Sequence, residues 1–189
     1  MITLDKEIVL GSSSPRRKEL LRLIAKNFTI KTSNNDENYQ SFKPDEIVQE
    51  ISLNKSISIS ILPNELLITA DTIVTLDDKI LGKPKNEKAA FLMLKALSNR
   101  THYVYTGITL RTVDKIKTFF EVSKVTFYEL DEEIINYYIK NYNPFDKAGA
   151  YAIQDFAAVF VKEIEGDYYN IMGLPIAKLY WQLRNWNSI

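Results

Sequence analysis

The segment SSSPRR, residues 12–17, places three hydroxyl groups and two arginines at the start of a predicted helix. Ser14 suits the N-cap and Pro15 suits the first helical position. This end of a helix is the positive end of its dipole, so Arg16 and Arg17 are each unfavourable there by roughly 0.3–1 kcal/mol when exposed. A bound anion reverses that effect, because free backbone N–H groups at a helix N-terminus bind phosphate. The segment therefore predicts a phosphate site.

Three further segments carry polar groups near the ends of predicted strands. Asp71 follows the uncharged strand residues 66–70, where a buried carboxylate is unfavourable unless it is paired or bound to a metal. Lys83 lies in the turn LGKPKN, and Gln154 follows the small residues of the loop FDKAGAYAIQD, which permit close approach of a ligand. Each segment also has an ordinary structural interpretation: a strand-end cap, a solvated lysine or a packing loop.

The composition excludes a strongly charged partner. The chain has 189 residues, 24 lysines and arginines and 24 aspartates and glutamates, so no net field draws it to nucleic acid or to an anionic membrane. We therefore expect no stable nucleic-acid partner, and any basic site has to be local. The length and a hydrophobic content of 46% are sufficient for a full core, in one large domain or two closely joined lobes, and we predict a single domain over residues 1–189.

The absence of cysteine and the presence of one histidine restrict the possible chemistry. Disulfides, thiolate nucleophiles and the usual zinc sites are excluded. A Ser-His-Asp triad would need His102, which lies where a loop passes into a predicted strand and has no acid beside it in sequence. We therefore expect a surface or strand-start histidine there. Any metal has to be held by oxygen ligands, which favours Mg²⁺ or Mn²⁺.

Targeting and membrane segments are not expected. The first residues, MITLDKEIVLGSS, lack a basic start and an adequate apolar stretch, and no run approaches about 18 apolar residues. We therefore expect a cytoplasmic protein with no membrane partner.

Helical and strand patterns alternate along the chain. Strands are predicted in KEIVLGS and FTIKTS, along the near-continuous apolar run ELLITADTIVTLDDKIL, in a hairpin that turns at Asp114-Lys115, and in AAVFVKEIEG. Helices are predicted over residues 15–26, 44–62, 86–99, 131–140 and 174–186. This order predicts the α/β class, with a mixed twisted sheet and flanking helices.

Neither a G-x-x-x-x-G-K-[ST] loop nor a G-x-G-x-x-G loop is present, so P-loop and Rossmann interpretations fail. The alternative is a distributed site to which several loops at strand ends each contribute a charged group.

Taken together, the motifs resemble those of the Maf family from about residue 8 to residue 180. The matching segments are LGSSSPRRKELL, ADTIV, LGKPKN, LSNRTHYVYTGITL, VTFYEL, FDKAGAYAIQ and GDYYNIMGLPI. The resemblance implies a fold like that of the inosine-triphosphate pyrophosphatases, with two lobes around a cleft. Gly11 and Thr69 stand where alanine is common in the family, and Ala152 and Asp155 stand where glycine is common. The last two lie beside Gln154 and affect the shape of the base pocket.

The resemblance also implies an activity, nucleoside triphosphate pyrophosphatase, and roles for individual residues. Asp71 matches the family's catalytic acid, described as the proton acceptor, and Glu37, an ordinary surface acid on its own, matches a second acid; both would bind Mg²⁺ or Mn²⁺. The polar site residues of the family match Ser12, Arg17, Lys55 and Lys83, of which Lys83 is assigned to catalysis here. The positions associated with substrate choice match Arg16, Thr72 and Gln154.

This set resembles the branch of the family that acts on dTTP and UTP, and modified pyrimidine nucleotides are compatible with it. Two other functions stay open at this point. A non-enzymatic nucleotide-binding or nucleic-acid-binding regulator of cell division would turn over no nucleotide, and a γ-phosphatase would release orthophosphate. Family resemblance favours a homodimer.

Overall fold

The computed structural model describes residues 5–32 and 38–186. Its strands are β1 (Glu7–Leu10), β2 (Thr29–Ile30), β3 (Glu65–Leu76), β4 (Lys79–Leu81), β5 (Thr101–Arg111), β6 (Ile116–Phe127) and β7 (Val161–Glu165). Its helices are α1 (Pro15–Arg22), α2 (Pro44–Ile57), α3 (Glu87–Leu97), α4 (Glu132–Asn141), α5 (Tyr168–Ile171) and α6 (Ile176–Arg184). Two short 3-10 helices span Ala148–Ala150 and Phe156–Phe160.

The described strands form one mixed sheet in the order β2-β1-β3-β5-β6-β7, with β4 also paired to β3. The pairs β1–β2 and β1–β3 are parallel, and the other pairs are antiparallel. Helices flank this sheet, so the predicted fold class is confirmed. The single domain over residues 1–189 stays a prediction.

One edge of β3 carries two different partners with a gap between them. β1 pairs with residues Glu65 to Ile68, and β4 pairs with residues Val74 to Leu76, so that within the described chain residues 69–73 have no strand partner on this side. Gly11 N donates to Ile68 O at 2.8 Å, which shows that the backbone groups of Ile68 face β1. Because backbone groups alternate along a strand, those of Ala70 and Thr72 face the gap.

The two faces of the sheet are covered differently. On one face, α2 packs across β3 and β5 and buries its own residues Ile47, Val48 and Ile51 against the sheet. On the other face, the core is divided into two clusters. One lies under α1 and α6 and the other under α3 and α4. Along β3 the boundary between them falls at Thr72, and the predicted pair of lobes corresponds to these two clusters.

Helix α2 approaches the sheet closely because β5 has a glycine beneath it. A Cβ atom on Gly107 would lie 2.1 Å from the carbonyl oxygen of Val48, so any side chain there would collide with the helix backbone. Gly107 is paired with Asp71 across the β3–β5 ladder. The glycine therefore fixes the height of α2 above the residue that carries the predicted catalytic carboxylate.

Two departures from the family pattern compensate each other. A Cβ atom on Gly11 would lie 2.5 Å from Cγ2 of Thr69 on the adjacent strand. Thr69 is completely buried and its hydroxyl donates to Ser52 O at 2.7 Å, which fixes the orientation of its methyl group. The smaller residue at position 11 therefore makes room for the larger residue at position 69.

The predicted elements are found near their predicted places, with three corrections of extent. The first four residues of the predicted strand AAVFVKEIEG belong to the second 3-10 helix, which Asp155 caps, and β7 begins only at Val161. Helices α1 and α2 end at Arg22 and Ile57, several residues before their predicted ends. The apolar run from residue 65 to 81 is not one strand: Asp77 and Asp78 adopt positive φ angles of 49° and 60° and turn the chain into the β3–β4 hairpin. Two consecutive positive φ angles are typical of the type I′ hairpin turn, which Asp tolerates.

His102 lies in β5, at its second residue, and is completely buried rather than exposed. Its Nε2 atom lies 2.8 Å from the Tyr151 hydroxyl, and burial lowers its pKa to about 3, so the ring stays neutral. No helix within the described residues is long and apolar enough to cross a membrane.

We predict that Gly11→Ala lowers the free energy of unfolding by about 1–3 kcal/mol, because its methyl group meets the stiff Thr69 side chain. The double variant Gly11→Ala/Thr69→Ala removes that collision, so its loss of stability should be smaller than the sum of the two single losses. Urea unfolding of the wild type and the three variants measures this coupling. Strictly additive losses would contradict the compensation.

Candidate active site

The segment of β3 that no described strand covers forms one wall of a cleft. Asp71 and Thr72 are consecutive strand residues, so their side chains point to opposite faces of the sheet. Both nevertheless line the same cleft, together with Lys55, Arg17 and Lys83, which belong to three other parts of the chain. The cleft reaches both faces because no strand covers β3 on this side within the described residues.

On the α2 face, Asp71 forms a short ion pair. Lys55 Nζ donates to Asp71 Oδ1 at 2.6 Å, and the Asp71 side chain is only 8% exposed. Lys55 lies in the last turn of α2, two turns beyond Val48, whose contact with Gly107 sets the helix against the sheet. The ammonium group compensates a carboxylate that would be strongly unfavourable if it were buried alone.

On the opposite face, Arg17 joins three parts of the chain. Its Nε donates to Gly173 O at 2.9 Å, one terminal nitrogen donates to Thr72 Oγ1 at 3.0 Å, and the other donates to Ser12 Oγ at 3.4 Å. Ser14 caps α1 by accepting from Arg17 N at 3.5 Å, as predicted. Arg17 thus has a structural role as well as a charge, and Ser12, which is buried, supports it.

Arg16 and Lys83 add charge to the cleft from two further elements, α1 and the loop after β4. Lys83 is exposed in the loop after β4, and that loop is held by Gly149 N, which donates to Gly82 O at 3.2 Å. Arg16 is half-buried and lies close enough to Asp146 to act on its titration. Burial raises the pKa of Asp146, but the hydrogen bond from Lys147 and the charges of Lys147 and Arg16 outweigh burial and lower it below its usual value.

The cleft is strongly cationic although the whole chain is neutral. Its described walls carry five cationic side chains against two carboxylates: Arg16, Arg17, Lys55, Lys83 and Lys147 against Asp71 and Asp146. A local excess of positive charge attracts a polyanion, as the sequence predicted from the arginines of α1.

The loop that carries Gln154 is fixed from behind by α4. Tyr138 is buried, and its hydroxyl donates to Asp155 Oδ2 and accepts from Ala152 N, both at 3.1 Å. Asp155 Oδ1 also accepts from Ala157 N at 3.0 Å and caps the second 3-10 helix. Ala152 and Asp155, which depart from the family pattern beside Gln154, are therefore both hydrogen-bonded to one tyrosine. Gln154 lies between them and is exposed at the cleft.

Seven of the predicted site residues, Arg16, Arg17, Lys55, Asp71, Thr72, Lys83 and Gln154, line this cleft. Glu37 lies outside the described residues. Sequence reasoning did not assign the apolar wall formed by Tyr151, Ile171 and Met172. These residues lie in the quoted motifs FDKAGAYAIQ and GDYYNIMGLPI, but apolar residues in a motif do not reveal whether they face a core or a ligand.

Metal binding has to be judged on Asp71. Among the described residues, no three acidic or histidine side chains are grouped as a metal cage would require. Mg²⁺ does not need such a cage, since it is commonly bound by one or two carboxylates together with water and substrate phosphates. Asp71 is a suitable ligand of this kind, although one of its oxygens is bonded to Lys55.

The cleft places cations from several elements around one buried carboxylate. This arrangement is typical of a protein that binds a polyphosphate beside a group able to accept a proton. Comparison with known sequences narrows this class. The family model "Maf-like protein" matches residues 7–186, and the chain belongs to the Maf family.

Proteins from other organisms resemble the chain over nearly its whole length. The dTTP/UTP pyrophosphatase of Carboxydothermus hydrogenoformans is 46% identical over 95% of this chain and 98% of that protein. Proteins of the same name from Thermosipho africanus and Bacillus cereus are each 45% identical, over 92% and 96% of this chain and 90% and 91% of theirs. The solved structure of the Staphylococcus aureus Ham1 protein superposes with a TM-score of 0.48 at 17% identity, over 65% of this chain and 72% of that one.

We predict that Tyr138→Phe lowers the free energy of unfolding by about 1–3 kcal/mol, because it leaves the buried Ala152 N–H without its hydroxyl acceptor. The neighbouring Tyr137 is 48% exposed, so Tyr137→Phe is a matched control that should change stability by less than about 0.5 kcal/mol. Denaturant unfolding of both variants measures the difference. Equal effects would show that the hydroxyl does not hold the Gln154 loop.

Proposed function

We propose that the cleft hydrolyses dTTP and UTP to the nucleoside monophosphate and pyrophosphate. The observation that carries this proposal is the convergence of Arg16, Lys55 and Lys83, from three separate elements, around the buried carboxylate of Asp71. A triphosphate is the ligand whose charge matches this arrangement. The names of the relatives that are 44–46% identical support the same activity.

The cations have different tasks. Arg17 is held by Gly173, Thr72 and Ser12, so it is a fixed part of the wall. Lys83 is exposed on a loop at the cleft, and its proposed task is to contact the phosphates of the substrate. As the α–β anhydride breaks, negative charge grows on the leaving pyrophosphate, and positive groups placed there stabilise the transition state.

Asp71 is the proposed proton acceptor. A water molecule attacks the α-phosphorus, the bond between that phosphorus and the bridging oxygen to the β-phosphate breaks, and pyrophosphate leaves with the bonding electron pair. Asp71 accepts the proton that the water loses. Lys55 holds one carboxylate oxygen at 2.6 Å, which orients the other oxygen for this task.

A divalent cation is part of the proposal. Glu37, by family resemblance, and Asp71 would hold Mg²⁺ or Mn²⁺ against the substrate phosphates. Binding the metal is the alternative to proton acceptance for the Asp71 oxygen that Lys55 leaves open, and a metal-bound Asp71 would orient the water instead. When bound, the metal neutralises phosphate charge and polarises the reacting phosphoryl group. The residues of the cleft bind and orient the substrate around it.

The base is proposed to lie against Thr72 and Gln154. Thymine and uracil present an acceptor, a donor and an acceptor along one edge, which a carboxamide and a hydroxyl can complement. Cytosine replaces the donor at N3 with an acceptor and one carbonyl oxygen with an amino group. A site built for the first edge leaves polar groups unpaired against cytosine, at roughly 1–3 kcal/mol for each group.

A panel of nucleoside triphosphates tests the activity and the substrate together. With Mg²⁺ or Mn²⁺ we expect dTTP and UTP to be hydrolysed with kcat/KM at least about tenfold above CTP, ATP and GTP, and we expect pyrophosphate as the product. Excess EDTA should abolish turnover. Orthophosphate as the product would instead identify a γ-phosphatase, and binding without turnover would identify a regulator.

Asp71→Asn should retain the fold and lose nearly all turnover, by about 10²–10⁴-fold, because the amide keeps the shape of the carboxylate but accepts no proton. Asp77→Asn is a matched control, since Asp77 is exposed in the β3–β4 turn and Asn tolerates a positive φ. Rates of UTP hydrolysis and thermal melting of both variants provide the comparison. A fully active Asp71→Asn variant would refute the assignment.

A further inference from the structure

A chain of hydroxyl groups runs from the cleft into the core on the face of Thr72. Thr72 Oγ1 lies 3.0 Å from Thr106 Oγ1 on the neighbouring strand, and the two residues are paired in the β3–β5 ladder. Thr106 Oγ1 lies 3.1 Å from the backbone oxygen of Asn170 in α5. Both Thr106 and Asn170 are completely buried, so water does not compete for these hydrogen bonds.

The end of the chain is held firmly. The side-chain nitrogen of Asn170 donates to Val104 O at 3.0 Å and to Ser123 Oγ at 2.9 Å, which ties α5 to β5 and β6. Its backbone oxygen is therefore a fixed acceptor in the core, behind the wall of the cleft. Thr106 lies between this acceptor and Thr72.

The positions of the hydrogens follow from the chemistry of the groups. The Asn170 backbone oxygen only accepts, so the single hydroxyl hydrogen of Thr106 points to it. The bond between the two threonines then has to use the hydrogen of Thr72. Arg17 donates to the same Thr72 oxygen at 3.0 Å and occupies one of its two lone pairs.

Thr72 consequently has one lone pair and no hydrogen left for a ligand. Phosphate oxygens are acceptors, so an oxygen that can only accept does not bind them. The nucleoside part of the substrate is what remains, and the N3–H group of thymine or uracil is a donor on the edge of the base. Cytosine has a lone pair at N3, which the Thr72 oxygen repels.

We propose that Thr106 is a positioning residue that fixes Thr72 as an acceptor for the N3–H group of the pyrimidine and thereby sets the preference for thymine and uracil over cytosine. This inference rests on the proposed function. Thr106 is buried and lies outside the cleft wall, and it would determine the orientation of the Thr72 hydroxyl, which lies in that wall.

The test compares kcat/KM for UTP and CTP in the wild type and in Thr106→Val, which keeps the shape of the side chain but removes its hydroxyl. Without that acceptor, the Thr72 hydroxyl can turn its hydrogen toward the ligand and donate to N3 of cytosine. We expect the ratio of UTP to CTP kcat/KM to fall by about tenfold or more. We expect kcat/KM to fall for UTP and to rise for CTP.

Two controls separate orientation from stability. Thr106→Ser retains the hydroxyl and should retain the ratio. Thr109→Val is the same substitution in the same strand at another buried threonine. The hydroxyl of Thr109 contacts the hydroxyls of Ser52 in α2 and Thr118 in β6. This variant should lower stability to a similar degree and leave the ratio unchanged. Thermal melts of all variants accompany the kinetics, and Thr106→Ala repeats the test if the valine variant does not fold.

The outcomes are distinguishable from those for the proposed function. If the wild type hydrolyses neither UTP nor dTTP, the proposed function fails. If the wild type prefers UTP and Thr106→Val keeps that preference, or loses UTP and CTP activity equally, the positioning role of Thr106 is overturned. A reduced ratio that Thr106→Ser restores supports it.

Discussion

The burial of one carboxylate constrains much of this structure. Asp71 lies within the longest buried strand, where its negative charge needs a cation at contact distance. Lys55 reaches it only because α2 lies low on the sheet, and α2 lies low only because position 107 has no side chain. One ion pair, one helix and one glycine are therefore linked, and a change in any of them alters the position of the reactive oxygen.

The open edge of β3 explains how two opposite side chains serve one cleft. In a complete sheet, Asp71 and Thr72 would be separated by the sheet itself. Here the first faces α2 and its lysine, and the second faces α1 and its arginine, yet both line the cleft at the open edge. The Asp71–Lys55 ion pair and the proposed base acceptor Thr72 thus lie on opposite faces of the sheet, and the arginines of α1 add positive charge on the Thr72 face.

The sequence patterns predicted the fold class and seven of the residues that line the cleft, and the features that they missed have physical causes. Strand and helix patterns, the Ser14 cap and the hairpin at Asp114-Lys115 are local signals, and the structure agrees with them. The β3–β4 turn was missed because its Asp-Asp pair lacks the glycine that usually marks positive φ. The hydroxyl chain of Thr72 and Thr106 joins residues 34 positions apart, and only pairing across the sheet brings them together.

The gap in β3 is short and closed at both ends. Unpaired backbone groups at a sheet edge usually invite another strand, and with it aggregation. Within the described part of the chain, β1 and β4 leave only residues 69–73 uncovered, about 16 Å of strand, and the cleft beside them is lined by Arg16 of α1 and by Lys83 of the loop after β4. A foreign strand cannot continue past either end, whereas a small anion can enter. The exposed backbone of β3 thus offers too few unpaired groups to extend the sheet with a long second strand, while it leaves room for a small molecule.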